Sequence, residues 1–311
     1  QKEIRMEPSS LVIAIDAGQT GIKVEVEGQR VSLPGLRTNV EIMPQLATVA
    51  LGVLEERRPE QWVLAVGSTG LTEAESDPAV LAGLCTGIGR GKVILAHDSI
   101  TCYLGARGTQ HGVVVAAGTG SVILGVGPRG AARVDGWGNI IGDAGSGYWI
   151  GRAALDAAMR DFDGRGRATV LTDVAREVYP DLTQAYIQIQ TSPNRVAEIA
   201  ALAERVTVLA ATDDVAADIC RGAGQELATS AIAAATRVGL IDQAHPPICL
   251  TGGVLKAAPV AAACCEALDS RWPGFEPTEA LGDGLRGAVE LAHIPEDHPM
   301  RSDVGIAWTQ A

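Results

Sequence analysis

LVIAIDAGQTGIKVEVEG, Leu11 to Gly28, is the stretch on which the reading of the chain turns. Leu11 to Ile15 is a short apolar run, DAGQTG is a tight turn of small residues, and IKVEVEG alternates apolar with polar side chains in the period of a strand. RVSLP resumes the alternation, so the chain opens with two or three antiparallel strands. The layout returns in GVVVAAGTGSVILGVG, Gly112 to Gly127, where an apolar run, a Gly-Thr-Gly-Ser turn and a second apolar run precede a third strand near Ala132 to Val134. Two copies of strand, small-residue turn and strand, at the heads of two halves, indicate an internally duplicated architecture.

Between the copies, Val40 to Glu56 carries apolar residues at helical spacing, with Pro44 in the first turn where proline is tolerated. QWVLAVGSTG reads as a buried strand ending in a Gly-rich loop, DPAVLAGLCTGIG as a short helix, and KVILAHDS as a buried strand ending at Asp98. This alternation predicts an α/β domain. After the second copy, Gly147 to about Leu240 is Ala-rich and mostly helical, with Asp213 a candidate cap. PPICLTGG is a final strand, followed by an Ala-rich helix, a Pro-containing loop and a helix from about Asp283 to His293. The expected division is a disordered leader or tag remnant over 1–10, an N-terminal lobe over 11–111 and a C-terminal lobe over 112–295. The last helix is expected to pack back on the N-terminal lobe, and 296–311 reads as an irregular tail.

The length of 311 residues is enough for about two domains, and 47% hydrophobic with 20% charged residues is a soluble globular balance. A net charge of -12 argues against nucleic acid as a partner. ATP stays compatible, because backbone N–H groups, one Lys and a bound cation can hold phosphates in a locally favourable pocket. The cysteines at 85, 102, 220, 249, 264 and 265 lie mostly in apolar runs, without the spacing of a zinc or iron-sulfur ligand set, and read as reduced buried thiols. No apolar run reaches the ~20 residues needed to span a bilayer, and QKEIRMEPSS lacks an apolar signal segment. No membrane partner is expected, and the cytoplasm is the expected location.

Three segments carry candidate chemistry. In DAGQTGIK, Gly18 and Gly21 permit a tight hairpin whose N–H groups can face an oxyanion, Thr20 offers a hydroxyl, Lys23 a charge, and Asp16 can hold Mg²⁺ directly or through water. An ordinary hairpin with Asp as turn former has the same composition. In AAGTGSV, Gly118, Thr119, Gly120 and Ser121 offer small-residue N–H groups and two hydroxyls, and a plain hairpin fits here too. In LTGGV, Gly252 and Gly253 let a flat ligand approach the backbone near a helix N-terminus, or pack a helix closely. There is no GxxxxGK[ST], so a P-loop is ruled out.

In this order and over nearly the whole chain, DAGQT, AHDS, AAGTGS, GWGNIIGDAGSGYW and LTGG resemble the actin-hexokinase-Hsp70 ATPase superfamily. More narrowly, they are similar to its N-acetylglucosamine kinase and BadF/BadG/BcrA/BcrD branch. The most specific piece is GWGNIIGDAGSGYWIGRAAL, Gly136 to Leu155. The resemblance implies a two-lobed actin-like fold of duplicated ribonuclease H-like domains, with ATP and Mg²⁺ between the lobes, an amino sugar in the cleft, and a homodimer. It assigns Asp98 as the catalytic carboxylate that takes the proton of the sugar 6-hydroxyl, and Asn39, Trp137, Gly138, Asn139 and Asp143 as further sugar contacts. Thr20 and Thr119 match its nucleotide-phosphate contacts, and Gly252 falls in its adenosine motif. Asp98 at a strand end could equally cap the helix SITCYLG, and Asn39 the helix that follows it.

The chain departs from the branch at Ala144, where GDEGS is usual, and at Gln19, where a glycine is usual. The first departure bears on the acceptor: N-acetylglucosamine leads, with glucosamine, N-acetylmuramic acid or another hexose as alternatives. A BadF-type ATPase activator without a sugar substrate would need cysteine-bound iron-sulfur clusters, which the scattered apolar cysteines do not suit. A sugar-responsive repressor would need a helix-turn-helix domain, for which the residues before Leu11 are too few.

Overall fold

The computed structural model describes residues 10–37, 39–71, 76–243 and 246–309. The expected leader therefore lies outside the described residues, apart from Ser10. The chain divides into two compact units, one drawn from the residues up to 110 together with those from 280 onward, the other from 111–279.

The first unit holds β1 (Leu11–Ala17), β2 (Ile22–Val26), β3 (Gln29–Leu33), β4 (Gln61–Ser68), β5 (Arg90–His97) and β11 (Gly305–Trp308). They form one sheet in the order β11-β5-β4-β1-β2-β3. β1, β4 and β5 run parallel, while β2, β3 and β11 are antiparallel to their neighbours. The period of two in LVIAIDA divides β1 between two layers. Ile13, Ile15 and Ala17 face the core with Leu46, Ala50 and Leu54 of α1 (Ile42–Arg57). Ala14 faces the other way, against Leu285 and Ala288 of α10 (Gly284–Leu291). The short helix α2 (Pro78–Leu84) is capped by Asp77, whose carboxylate accepts from Ala79 N–H at 2.8 Å. α10 also packs on α3 (Asp98–Arg107), backbone against backbone: a Cβ at Gly287 would collide with the Thr101 carbonyl, and one at Gly105 with the Asp283 carbonyl.

α10 groups with the first unit, which the chain re-enters at 280. The tail is not irregular: 299–303 form a 3₁₀ turn and β11 adds an edge strand to β5, pairing Gly305 with Leu95 and Trp308 with Lys92. A four-residue strand after Pro295 and Pro299 has too little alternation to register in the sequence. It is anchored by the buried Met300 and by His298, whose Nε2 lies 3.2 Å from the Thr109 carbonyl.

The second unit repeats the antiparallel start with β6 (Gly112–Ala117), β7 (Ser121–Gly127) and β8 (Gly130–Val134), to which β9 (Pro247–Thr251) and β10 (Glu276–Thr278) add in parallel. The sheet order is β10-β9-β6-β7-β8. β10, three residues in the expected loop, escapes the sequence for the same reason as β11. Between β8 and β9 lie α4 (Gly147–Phe162), α5 (Leu171–Val178), α6 (Ala185–Thr191), α7 (Arg195–Leu209) and α8 (Asp214–Val238), and α9 (Ala258–Arg271) lies between β9 and β10. Asp213 caps α8 by accepting from Ala216 N–H at 2.8 Å. Small residues set the spacing: Ala223, Ala231, Ala234 and Ala235 of α8 share a core with Val113, Val115 and Ile123. A Cβ at Gly224 would meet the backbone of Cys264 in α9. None of the six cysteines forms a disulfide, and burial pushes Cys85 and Cys220 up to about 11 and Cys264 up to about 12.

Candidate active site

In the first unit the site begins at Asp16, the penultimate residue of β1, paired across the hairpin with Lys23. Alternation along β1 sends Asp16 to the same face as Ala14, and its carboxylate meets the N-terminus of α10. A Cβ at Gly284 would lie 2.8 Å from either Asp16 oxygen, so glycine is needed there. Burial raises the Asp16 carboxyl from 3.8 to about 6; Lys23 opposes the rise, and the nearby Asp283 and Asp98 charges add to it. A carboxylate held in this way gains from a cation. Mg²⁺ takes one or two protein carboxylates and fills its octahedron with water and phosphate oxygens. Among the described residues no three His, Cys, Asp or Glu side chains gather as a self-sufficient metal cage. A Mg²⁺ at this place would be held by Asp16, directly or through water.

Lys23 is paired within its own unit. Its Nζ lies 2.9 Å from Asp283 Oδ2, and the same Asp283 caps α10 through Oδ1 and Arg286 N–H at 3.2 Å. The turn glycines differ from expectation. Neither Gly18 nor Gly21 has a left-handed backbone, and a Cβ at Gly18 would make an ordinary 3.4 Å contact. The crowded position is Gly35, where a Cβ would run into the Gln19 carbonyl and Gly21 N–H. Gly18 N–H donates to Gly21 C=O at 3.0 Å, while Gln19 and Thr20 are exposed at the tip.

Asp98 is the first residue of α3, and its neighbour is the cap: His97 Nδ1 lies 3.2 Å from Ser99 N–H. The same Nδ1 is 2.9 Å from Asp98 Oδ1. Unprotonated, the ring accepts from Ser99; protonated at Nδ1, it donates to Asp98. The Asp98 carboxylate is 37% exposed and carries no capping duty. Asn39 is exposed, and it does not cap α1 either, since Glu41 holds that position. Its loop is bracketed by Gln45 of α1, which accepts from Arg37 N–H at 3.0 Å and donates to the carbonyls of Arg37 and Glu41.

In the second unit, the turn after β6 is fixed by α4. Gly118 C=O accepts from Gly147 N–H at 2.8 Å and Thr119 C=O from Tyr148 N–H at 3.0 Å, so the first free N–H groups of α4 are spent on the turn. Thr119 is exposed. Ser121, expected to offer its hydroxyl to phosphate, is instead buried, and its Oγ donates to Ala144 C=O at 3.1 Å. Gly118 and Thr119 border a cavity of about 640 Å³, walled by Ala197, Ala200 and Ala201 of α7 with Glu204, Gly253 and Lys256 at its edges. That volume lies in the range of small-molecule sites, and an alanine wall leaves room for a flat ring. The glycine pair divides its duties: Gly252, at φ 99°, has no room for a Cβ against Ala117, whereas Gly253 faces open space at the cavity.

The loop from β8 to α4 carries Trp137, Gly138, Asn139 and Asp143. Trp137 is exposed beneath the Arg133 guanidinium, 4.8 Å from its ring centre, and Asn139 is half-buried. Asp143 sits in the left-handed region at φ 57° with one oxygen against Gly120, where a Cβ would be 2.8 Å away. Burial raises its carboxyl, while the N–H groups of Ser121 and Gly138 and the Arg133 charge oppose the rise. Part of its hydrogen-bonding capacity is thus already committed to backbone. The structure gathers Asp16, Lys23 and Asp98 in the first unit, with Asn39 elsewhere in it, and gathers the turn at 118–121 with Asp143 in the second. Sequence reasoning missed Asp283, Gly35, Glu204, Lys256 and the carboxylate of Asp135. Asp283 and Asp135 each stand beside a glycine at an element end, a capping signal that gives no hint of what else they hold.

The sequence model of one protein family matches residues 9–292. The chain belongs to the BadF/BadG/BcrA/BcrD ATPase family. Among its relatives, an N-acetylmuramic acid/N-acetylglucosamine kinase of Clostridium acetobutylicum is 33% identical over 175 residues, 51% of this chain and 57% of the relative. An N-acetyl-D-glucosamine kinase of Dictyostelium discoideum is 29% identical over 203 residues, 60% of this chain and 61% of that one. The matches thus span about six-tenths of the length of these curated relatives. Among solved structures, a candidate N-acetylglucosamine kinase from Chromobacterium violaceum aligns with a TM-score of 0.68 at 23% identity, covering 91% of this chain and 99% of that one. A ROK hexokinase from Thermus thermophilus aligns at 0.56 and 16% identity, covering 91% and 98%. At these identities the likeness speaks for the fold, the α/β actin-like form expected of the BadF/BadG/BcrA/BcrD family. Among the described residues no helix is long and apolar enough to cross a membrane.

Proposed function

We propose that the protein is an ATP-dependent amino-sugar kinase that transfers the γ-phosphoryl group to the 6-hydroxyl of N-acetylglucosamine, releasing ADP. The observation that carries the reading is Asp98, a carboxylate at the end of a buried strand whose capping task His97 has taken over, leaving an oxygen available to a hydroxyl. Phosphoryl transfer asks little covalent chemistry of a protein: a base to orient and deprotonate the acceptor, and fixed charge on the phosphates. In this reading Asp98 accepts the proton, Asn39 and Asp143 bind sugar hydroxyls, and Trp137 walls the acceptor with an apolar face. Thr20, Thr119 and the turn backbones meet the phosphates, and the cavity at Gly253 takes the nucleoside. Mg²⁺, held by Asp16, would neutralise charge on the transferred phosphate.

The relatives that act on N-acetylglucosamine support the acceptor class. A second acceptor, N-acetylmuramic acid, is favoured by one relative's dual activity and by Ala144, which leaves the acceptor loop without the acidic side chain usual there. ADP release measured over glucose, glucosamine, N-acetylglucosamine and N-acetylmuramic acid tests the reading. Stimulation by one of the N-acetylated sugars is expected; no stimulation by any amino sugar overturns it.

A further inference from the structure

We infer that Asp135 is a positioning residue, which fixes Asp143 against the turn at 118–121 and thereby sets the affinity for the acceptor without touching it. The inference deepens the function proposed above and rests on it for the identity of the acceptor.

The loop is conformationally costly. Asp135, Gly136, Gly138, Asp143 and Gly145 all have φ between 57° and 84°, and two of the five are not glycine. Side chains that dislike this region hold it only when their surroundings impose it. The imposing group is the Asp135 carboxylate. Oδ1 accepts from Asp143 N–H at 2.8 Å, Oδ2 accepts from Ala144 N–H at 2.8 Å, and Trp137 N–H approaches Oδ1 at 3.5 Å. One side chain at the loop's entrance thus grips its exit. Gly142 is the permissive position, since a Cβ there would lie 2.5 Å from Oδ1. Arg133 secures the entrance, donating from Nε to Asp135 C=O at 3.2 Å and from the terminal nitrogen to Gly136 C=O at 2.7 Å, with its plane on Trp137.

Held in this way, Asp143 reaches the turn at 118–121: its carboxylate lies against Gly120, where a Cβ would be 2.8 Å away, and the next carbonyl, Ala144, accepts from Ser121 Oγ at 3.1 Å. Turn and acceptor loop are therefore one piece, and Asp135 is the joint. It sits one residue before GWGNIIGDAGSGYWIGRAAL and carries a charge turned onto the backbone rather than toward a ligand.

Asp135→Asn preserves the size but presents an NH₂ group to one of the two backbone donors. With N-acetylglucosamine as acceptor, its KM for the sugar should rise at least tenfold, while KM for ATP stays within twofold and kcat at saturating sugar within about threefold. An unchanged sugar KM overturns the inference, as does an equal rise in both KM values, which signals general loss of structure. Hydrogen exchange on the wild-type protein tests the joint without any variant or activity. The amides of Asp143 and Ala144 should be protected well beyond those of exposed loop residues, and should lose that protection in Asp135→Asn; wild-type amides exchanging at the exposed-loop rate overturn it. If no amino sugar stimulates the wild type, the proposed function falls, while the exchange result still decides whether Asp135 holds the loop.

Discussion

Replacing Asp16 by asparagine should make the protein more stable and less active, and the gain should depend on pH in a defined direction. Asp16 is held with its carboxyl raised from 3.8 to about 6 by burial, with the charges of Asp283 and Asp98 adding to the rise. A rise in the folded state favours the protonated form. Its contribution is fully present below pH 3.8 and is lost as pH rises through about 6. At 1.36 kcal/mol per unit, the ionised side chain costs on the order of 3 kcal/mol above pH 7. Asparagine has nearly the same shape and no charge, so Asp16→Asn should gain on the order of 1–3 kcal/mol at pH 8 and nothing near pH 3.5. Thermal melts in EDTA from pH 4 to 8.5 would show this as a gap of several degrees at high pH that closes on acidification. Under the function proposed above, Mg²⁺ with ATP should add stability to the wild type, and the same variant should lose that gain together with most turnover. A variant no more stable than wild type at pH 8, or a gap equally large at pH 4, would refute the account of Asp16 as a buried charge awaiting a cation.

Other outcomes follow from the same geometry. Asp98→Asn should keep ATP affinity within a fewfold, by isothermal titration, while turnover falls on the order of 10²–10⁴-fold as for loss of a general base; near-normal kcat would show that another group takes the proton. Gly252→Ala forces a Cβ into the Ala117 carbonyl at φ 99° and should destabilise by about 2–4 kcal/mol in urea unfolding. Gly253→Val, one residue on, meets open space and should leave the urea midpoint almost unchanged while raising KM for ATP about tenfold by filling the cavity.

Much of the scaffold is legible from local pattern. The period of two in IKVEV, the apolar runs of β4 and β5, the small-residue turns and the Asp213 cap each depend on neighbours within a few residues. What the sequence hides is set by distant partners. Lys23 stands just after the turn, and only the fold brings Asp283, 260 positions away, to its Nζ. Ser121 looks available until Ala144 C=O takes its hydroxyl. The capping role that Asp98 could have filled goes to His97, a residue that rarely signals a helix start. Gly35 is demanded by the Gln19 carbonyl, a contact between two loops that no periodicity records. Asp135 falls one residue before the motif that draws the eye, and only the folded loop shows its two oxygens on two backbone donors.

The N-terminus of α10, which shields Asp16, and its cap Asp283 belong to the stretch of chain that follows the whole second unit. During synthesis residues 111–279 emerge before α10 leaves the ribosome. Until then one face of β1 lacks its cover, and the edge of β5 is open for want of β11. The face of β1 that carries Asp16 is thus covered only by a stretch distant in sequence, and the same stretch closes the edge of β5.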